Sequence, residues 1–112
     1  MRLYRQVVIV ASLLLIFSAT ALAAVAAPDS KRQAQLEHLL AQDCGACHGL
    51  RMTGGLGPAL TREALAGKST DSLIATVTQG RPGTAMPGWG PLLSPADIRW
   101  LVELLLQGYP AP

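Results

Sequence analysis

The sequence predicts an all-α domain of about four short helices joined by long loops. Apolar residues recur at helical spacing in the stretches 30–43, 61–66, 70–79 and from Ser94 onward. No strand-rich stretch is present. Residues 49–60 and 80–91 carry too much Gly and Pro for regular structure.

The first 27 residues read as an export signal. Met1-Arg2-Leu3-Tyr4-Arg5 is a short basic start, and residues 7–17 are apolar except for Ser12. The run Ala19-Thr20-Ala21-Leu22-Ala23-Ala24 then offers A-x-A cleavage sites, with cutting after Ala23 or Ala26. Residues 1–26 are therefore expected to be a signal peptide and residues 27–112 the mature domain. The alternative is an uncleaved anchor, because residues 6–27 hold no charge and are long enough to span a bilayer. On either reading the domain lies outside the cytoplasm, in the periplasm.

Charge argues against polyanionic partners. The 112-residue chain has 9 Lys+Arg against 7 Asp+Glu, but Arg2 and Arg5 leave with the signal, so seven face seven. The basic balance of the precursor thus points to neither nucleic acid nor anionic lipid. Membrane contact would come only from a retained N-terminal segment. A mature domain of about 85 residues often needs a staple beyond its own core.

The helices follow in order. Ser30 is a suitable N-cap for the first, with Gln33 three residues on as in a capping box. Leu36, Leu39 and Leu40 form its apolar stripe. Thr61 caps a short helix that Gly67 stops, and the helix over 70–79 places Leu73, Ile74 and Val77 inward before Gly80 ends it. The last helix has Ser94 as N-cap, Pro95 at its first position and Asp97 at its third. Its buried face is Ile98, Leu101, Val102 and Leu105, with Trp100 and Leu104 beside them.

Between the first helix and the first loop stands Cys44-Gly45-Ala46-Cys47-His48. In an exported protein C-x-x-C-H is the attachment signal for a covalent c-type haem. Two thiols at that spacing can bond the two vinyl groups along one porphyrin edge, and the adjacent His48 is carried under the ring to ligate iron. The chain has 2 cysteines, so one haem would use both. A thioredoxin-type dithiol would need a βαβ context. A structural zinc site would need a second ligand pair. A Cys44–Cys47 disulfide would close too small a loop to stabilise much.

The second axial ligand is expected from the second loop. Met52 is only four residues past His48, still beside the proximal face. Met86 lies in a loop that Gly83 and Gly88 let bend and Pro87 stiffens, and a thioether opposite an imidazole suits an electron-transfer haem. His38 would have to reach across from the first helix.

These residues carry a resemblance. Cys44-Gly-Ala-Cys47-His48, Gly57-Pro58-Ala59-Leu60, Thr84-Ala85-Met86-Pro87 and a capped terminal helix, in that order, resemble a class I monohaem cytochrome c. That family implies a fold of short helices and loops wrapped around one haem. It implies that the Pro58 carbonyl accepts the His48 ring N–H, that Leu60 packs on the haem face and that the first and last helices cross. Arg81 and Trp89 become candidates for propionate contacts, although Arg81 reads equally as a solvated loop charge. One departure is Trp100, which stands a turn before the position, Leu104, where such cytochromes carry an aromatic.

The longer phrases Gln42–Leu50, 54–60 and 80–87 are similar to the small periplasmic cytochromes c encoded beside the haem-d-containing dissimilatory nitrite reductase of denitrifying bacteria. That similarity implies a monomeric single-electron carrier, not an enzyme, feeding nitrite reductase, or a role in maturation of that enzyme's haem d. With His48 and Met86 both bound, no coordination position is open to a substrate. Docking is expected on an apolar rim of Leu50, Met52, Leu56 and Pro82, through a small transient contact. Two other readings stand beside it: a ligand-binding haem with a labile Met86, and a membrane-anchored subunit of a larger oxidoreductase.

Overall fold

The computed structural model of the chain describes residues 1–5 and 24–111. The apolar stretch of the expected signal peptide, and its tail through Ala23, lie outside the described residues. Among those described, no helix is long and apolar enough to cross a membrane.

Asp29, not Ser30, caps the first helix, α1 (Ser30–Leu39). Its carboxylate accepts the Arg32 N–H at 2.8 Å, while the Gln33 amide donates to the Pro28 carbonyl at 2.8 Å. An anionic cap gains from the helix dipole as well as from the hydrogen bond, so the aspartate displaces the neighbouring serine.

The helix does not stop at residue 43 as its sequence pattern suggests. Leu40–Cys44 forms one π-helical turn, closed by the Gly45 N–H on the Leu40 carbonyl, and runs directly into α2 (Gly45–His48). C-x-x-C-H is therefore the end of a continuous helical run. A π turn carries one extra residue and rotates all that follows about the axis. The motif is thereby turned relative to the stripe on which Leu36 and Leu40 are fully buried.

Thr61 caps α3 (Arg62–Leu65) by accepting the Ala64 N–H at 3.2 Å. Ser69 caps α4 (Thr70–Gln79), which ends on Gly80 with φ of 70°. In α5 (Pro95–Gln107) the Ser94 hydroxyl accepts the Asp97 N–H and the Asp97 carboxylate accepts the Ser94 N–H, both at 3.1 Å.

α5 is the hub and touches α1, α3 and α4. Its Ile98, Leu101 and Leu105 join Leu36, Leu40, Met52, Leu65 and Leu93 in one buried cluster, with Trp100 and Leu104 packed at its edge. Each such side chain, fully buried, contributes about 1.5–3 kcal/mol. The aromatic's earlier position does not separate the terminal helices.

Met52 overturns an expectation. Placed above on a surface rim, it is 0% exposed and its backbone φ is +58°. Its N–H bonds the Gly49 carbonyl and its carbonyl accepts the Leu60 N–H at 2.8 Å, so the loop turns inward at this residue. Sequence proximity to His48 conceals this, because one left-handed residue reverses the direction in which the chain points.

Candidate haem-binding site

The π turn and α2 bring Cys44, Cys47 and His48 into the last helical turns before Gly49. Both thiols are free, Cys44 half-buried and Cys47 exposed. Burial pushes the Cys44 thiol up to about 11, and the neighbouring Asp43 carboxylate adds to the rise.

His48 is the best-defined group. Its Nδ1 lies 2.7 Å from the Pro58 carbonyl oxygen. A carbonyl can only accept, so Nδ1 carries the hydrogen and Nε2 retains its lone pair. Gly57 sets the ring from the side: a Cβ there would stand 2.8 Å from both Cε1 and Nδ1. Only a residue without a side chain lets the loop lie flush against the imidazole.

The same loop grips the end of the motif helix through its backbone. Gly54 N–H bonds the His48 carbonyl and Gly57 N–H bonds the Cys47 carbonyl, each at 2.8 Å. These bonds satisfy carbonyls that a helix C-terminus leaves free. Leu60 closes the loop, half-buried against the core.

Met86 belongs to a second constellation, held against the end of α4. Trp89 and Gly90 donate backbone N–H groups to the Val77 and Thr78 carbonyls at 2.9 and 3.1 Å. Gly80 lies so close to the returning strand of the loop that a Cβ would be 2.5 Å from the Pro87 carbonyl carbon. Met86 and Trp89 are half-buried, whereas Arg81 is exposed and so is His38 on α1. Among the described residues no hydrogen bond joins the two constellations. Sequence reasoning quoted Gly57 and Thr84 within their motifs but gave neither a role. The one signal for Thr84 was a hydroxyl two residues before the methionine, in a loop otherwise short of side-chain hydrogen-bonding groups.

The donor set fits a haem: two free thiols on one helical run, an imidazole with Nε2 available, and a thioether in a glycine-rich loop. Among the described residues no three His, Cys, Asp or Glu side chains gather to hold a metal ion by themselves. Residues 31–105 match the protein family described as cytochrome c oxidase, cbb3-type, subunit III.

The chain belongs to this family of c-type cytochromes. It is 75% identical over 91 residues to cytochrome c55X of Stutzerimonas stutzeri, covering 81% of this chain and 80% of that one. Against cytochrome c55X of Pseudomonas aeruginosa it is 66% identical, covering 76% and 71%. The solved structure of the c-type cytochrome NirC superposes with a TM-score of 0.73 at 66% identity, over 76% of this chain and 100% of that one. A weaker likeness links the chain to part of a larger protein, the dihydro-haem d1 dehydrogenase of Pseudomonas aeruginosa, at 38% identity over 66% of this chain and 15% of that one. The helical fold without strands among the described residues agrees with the NirC structure. This c-type cytochrome is accordingly an electron carrier.

Proposed function

We propose that the protein is a periplasmic single-electron carrier of denitrification, bearing one haem c and delivering electrons to the haem-d-containing nitrite reductase. The observation that carries the reading is the His48–Pro58 hydrogen bond of 2.7 Å. It fixes the tautomer, leaves the Nε2 lone pair free and strengthens that nitrogen as a ligand. The cytochrome c55X and NirC relatives support the rest.

Bound at this site, the haem supplies a one-electron ferric/ferrous couple. Cys44 and Cys47, both free thiols, would hold the haem covalently through thioethers. His48 Nε2 and the Met86 thioether would be the protein's ligands to the iron, and with both bound the protein would act as a carrier rather than an enzyme. Leu60 would pack against the bound haem, and Arg81 and Trp89 would contact its propionates. Leu50, Leu56 and Pro82 are exposed and form the rim for a brief encounter with partners. Residues 1–26 act as the signal that places the domain in the periplasm.

An optical spectrum of the protein purified from periplasm tests this. A c-type reduced spectrum is expected, with a far-red sulfur-to-iron band in the oxidised form that disappears in Met86→Ala. Absence of covalent haem would overturn the reading. Reduced protein should also be oxidised rapidly on mixing with nitrite reductase.

The likeness to dihydro-haem d1 dehydrogenase favours a second reading, in which the carrier takes part in haem d maturation. A deletion strain making nitrite reductase without haem d would support it.

A further inference from the structure

Within the second loop one side chain, Thr84 of the Thr84-Ala85-Met86-Pro87 phrase, makes two hydrogen bonds around Met86. Thr84 Oγ1 donates to the Arg81 carbonyl at 2.7 Å and accepts the Met86 N–H at 3.3 Å. The Arg81 carbonyl also takes the Thr84 N–H at 3.1 Å, and the Arg81 N–H returns to the Met86 carbonyl at 3.2 Å. Both backbone groups of Met86 are thus tied, one to Arg81 directly and the other to Arg81 through the Thr84 hydroxyl. Thr84 and Ala85 are exposed and Met86 is half-buried, so this bracing, with the close approach of Gly80, fixes the Met86 backbone.

We infer that Thr84 is the positioning residue for the Met86 thioether and controls how readily that sulfur leaves the iron. The inference rests on Met86 being the axial ligand. A hydroxyl is needed because it donates and accepts at once. Without the donated bond the Arg81 carbonyl loses one of its two partners, and without the accepted bond the Met86 N–H is released. The loop can then swing Met86 outward while the covalent haem attachment and His48 stay in place.

The test uses the holo-protein carrying Thr84→Val, which keeps the shape and removes the hydroxyl, and Thr84→Ser, which restores it. Carbon monoxide binding to the ferrous protein at saturating gas reports the rate at which the iron loses its sixth ligand. Thr84→Val is expected to bind carbon monoxide on the order of tenfold faster, the weight of a single hydrogen bond. It should also lose the far-red band at a lower temperature, with covalent haem content unchanged. Thr84→Ser is expected to return both readouts to within about twofold of the parent. Wild-type kinetics and band stability in Thr84→Val would overturn the inference while leaving Met86 as ligand. A parent protein with no far-red band would instead overturn the Met86 reading, and the Thr84 inference with it.

Discussion

Arg32 and Asp97, 65 residues apart, form a two-pronged ion pair that clasps the first turn of α1 to the first turn of α5. Nε reaches Oδ1 at 3.2 Å and Nη2 reaches Oδ2 at 2.8 Å. Asp97 is 6% exposed, and Oδ2 also closes the Ser94 capping box. One carboxylate therefore starts α5 and fixes its angle to α1.

The Arg32 hydrogen bond holds the Asp97 carboxyl below its ordinary range, with burial opposing and Ser94 assisting. A carboxyl depressed in the folded state contributes stability that is present above the unfolded value, about 3.9. That stability is lost as pH falls through the folded value. Thermal midpoints of the oxidised holo-protein should fall more steeply below about pH 4 in the parent than in Asp97→Asn. Parallel curves would show that the pair contributes nothing. Asp97→Ala also removes the carboxylate half of the capping box, the acceptor of the Ser94 N–H, and should cost about 1 kcal/mol more.

Gly57→Ala places a methyl 2.8 Å from two atoms of the His48 ring. Either the ring turns or the loop lifts, and both break the Nδ1–Pro58 bond. A bond that strengthens the imidazole as ligand favours the ferric state, so its loss should raise the reduction potential. Redox titration of Gly57→Ala checks the sign. An unchanged potential with an intact thermal midpoint would mean the loop absorbs the methyl.

Gly80→Ala meets two obstacles at once. Its φ of 70° disfavours any side chain, and the new Cβ would lie 2.5–2.7 Å from backbone atoms of Met86, Pro87 and Gly88. Backbone cannot step aside as a flexible side-chain tip can, so the whole second loop should shift. The far-red band is expected to vanish while the haem stays covalently attached, with a loss of more than about 1 kcal/mol from the positive φ alone. A retained band would show that the loop finds another path around residue 80.

What could be read in advance was local. Ser94-Pro95-x-Asp97 announces its helix because cap, proline and acidic residue all act within one turn, and Gly80 marks an end for the same reason. Asp29 was missed by one residue because aspartate and serine are near-equal caps and only the dipole decides. The π turn at Leu40–Cys44 has no signature of its own. It follows from seating Leu36 and Leu40 in the core while presenting Cys44 and His48 elsewhere. The Pro58 carbonyl was reachable only through family resemblance, since a backbone acceptor has no letter in the sequence. Thr84 could be read as a letter of its motif, but the two bonds of its hydroxyl, to residues 81 and 86, show only in the folded loop.

Met52 and Leu56, grouped together by sequence position, should now behave in opposite ways. Met52 is 0% exposed inside the core, whereas Leu56 is 94% exposed on the loop that carries Gly57 and Pro58. Met52→Ala removes buried side-chain volume and should cost about 2–5 kcal/mol in denaturant unfolding of the holo-protein. Leu56→Ser should change stability by less than about 0.5 kcal/mol, as exposed substitutions do. Yet an apolar residue at the mouth of a redox site is worth most when a partner covers it. Electron transfer from the reduced protein to nitrite reductase should therefore slow several-fold in Leu56→Ser, through weaker association rather than a changed potential. Stopped-flow mixing across a range of partner concentrations separates the two causes. A second-order rate equal to the parent's would place the docking surface away from this loop.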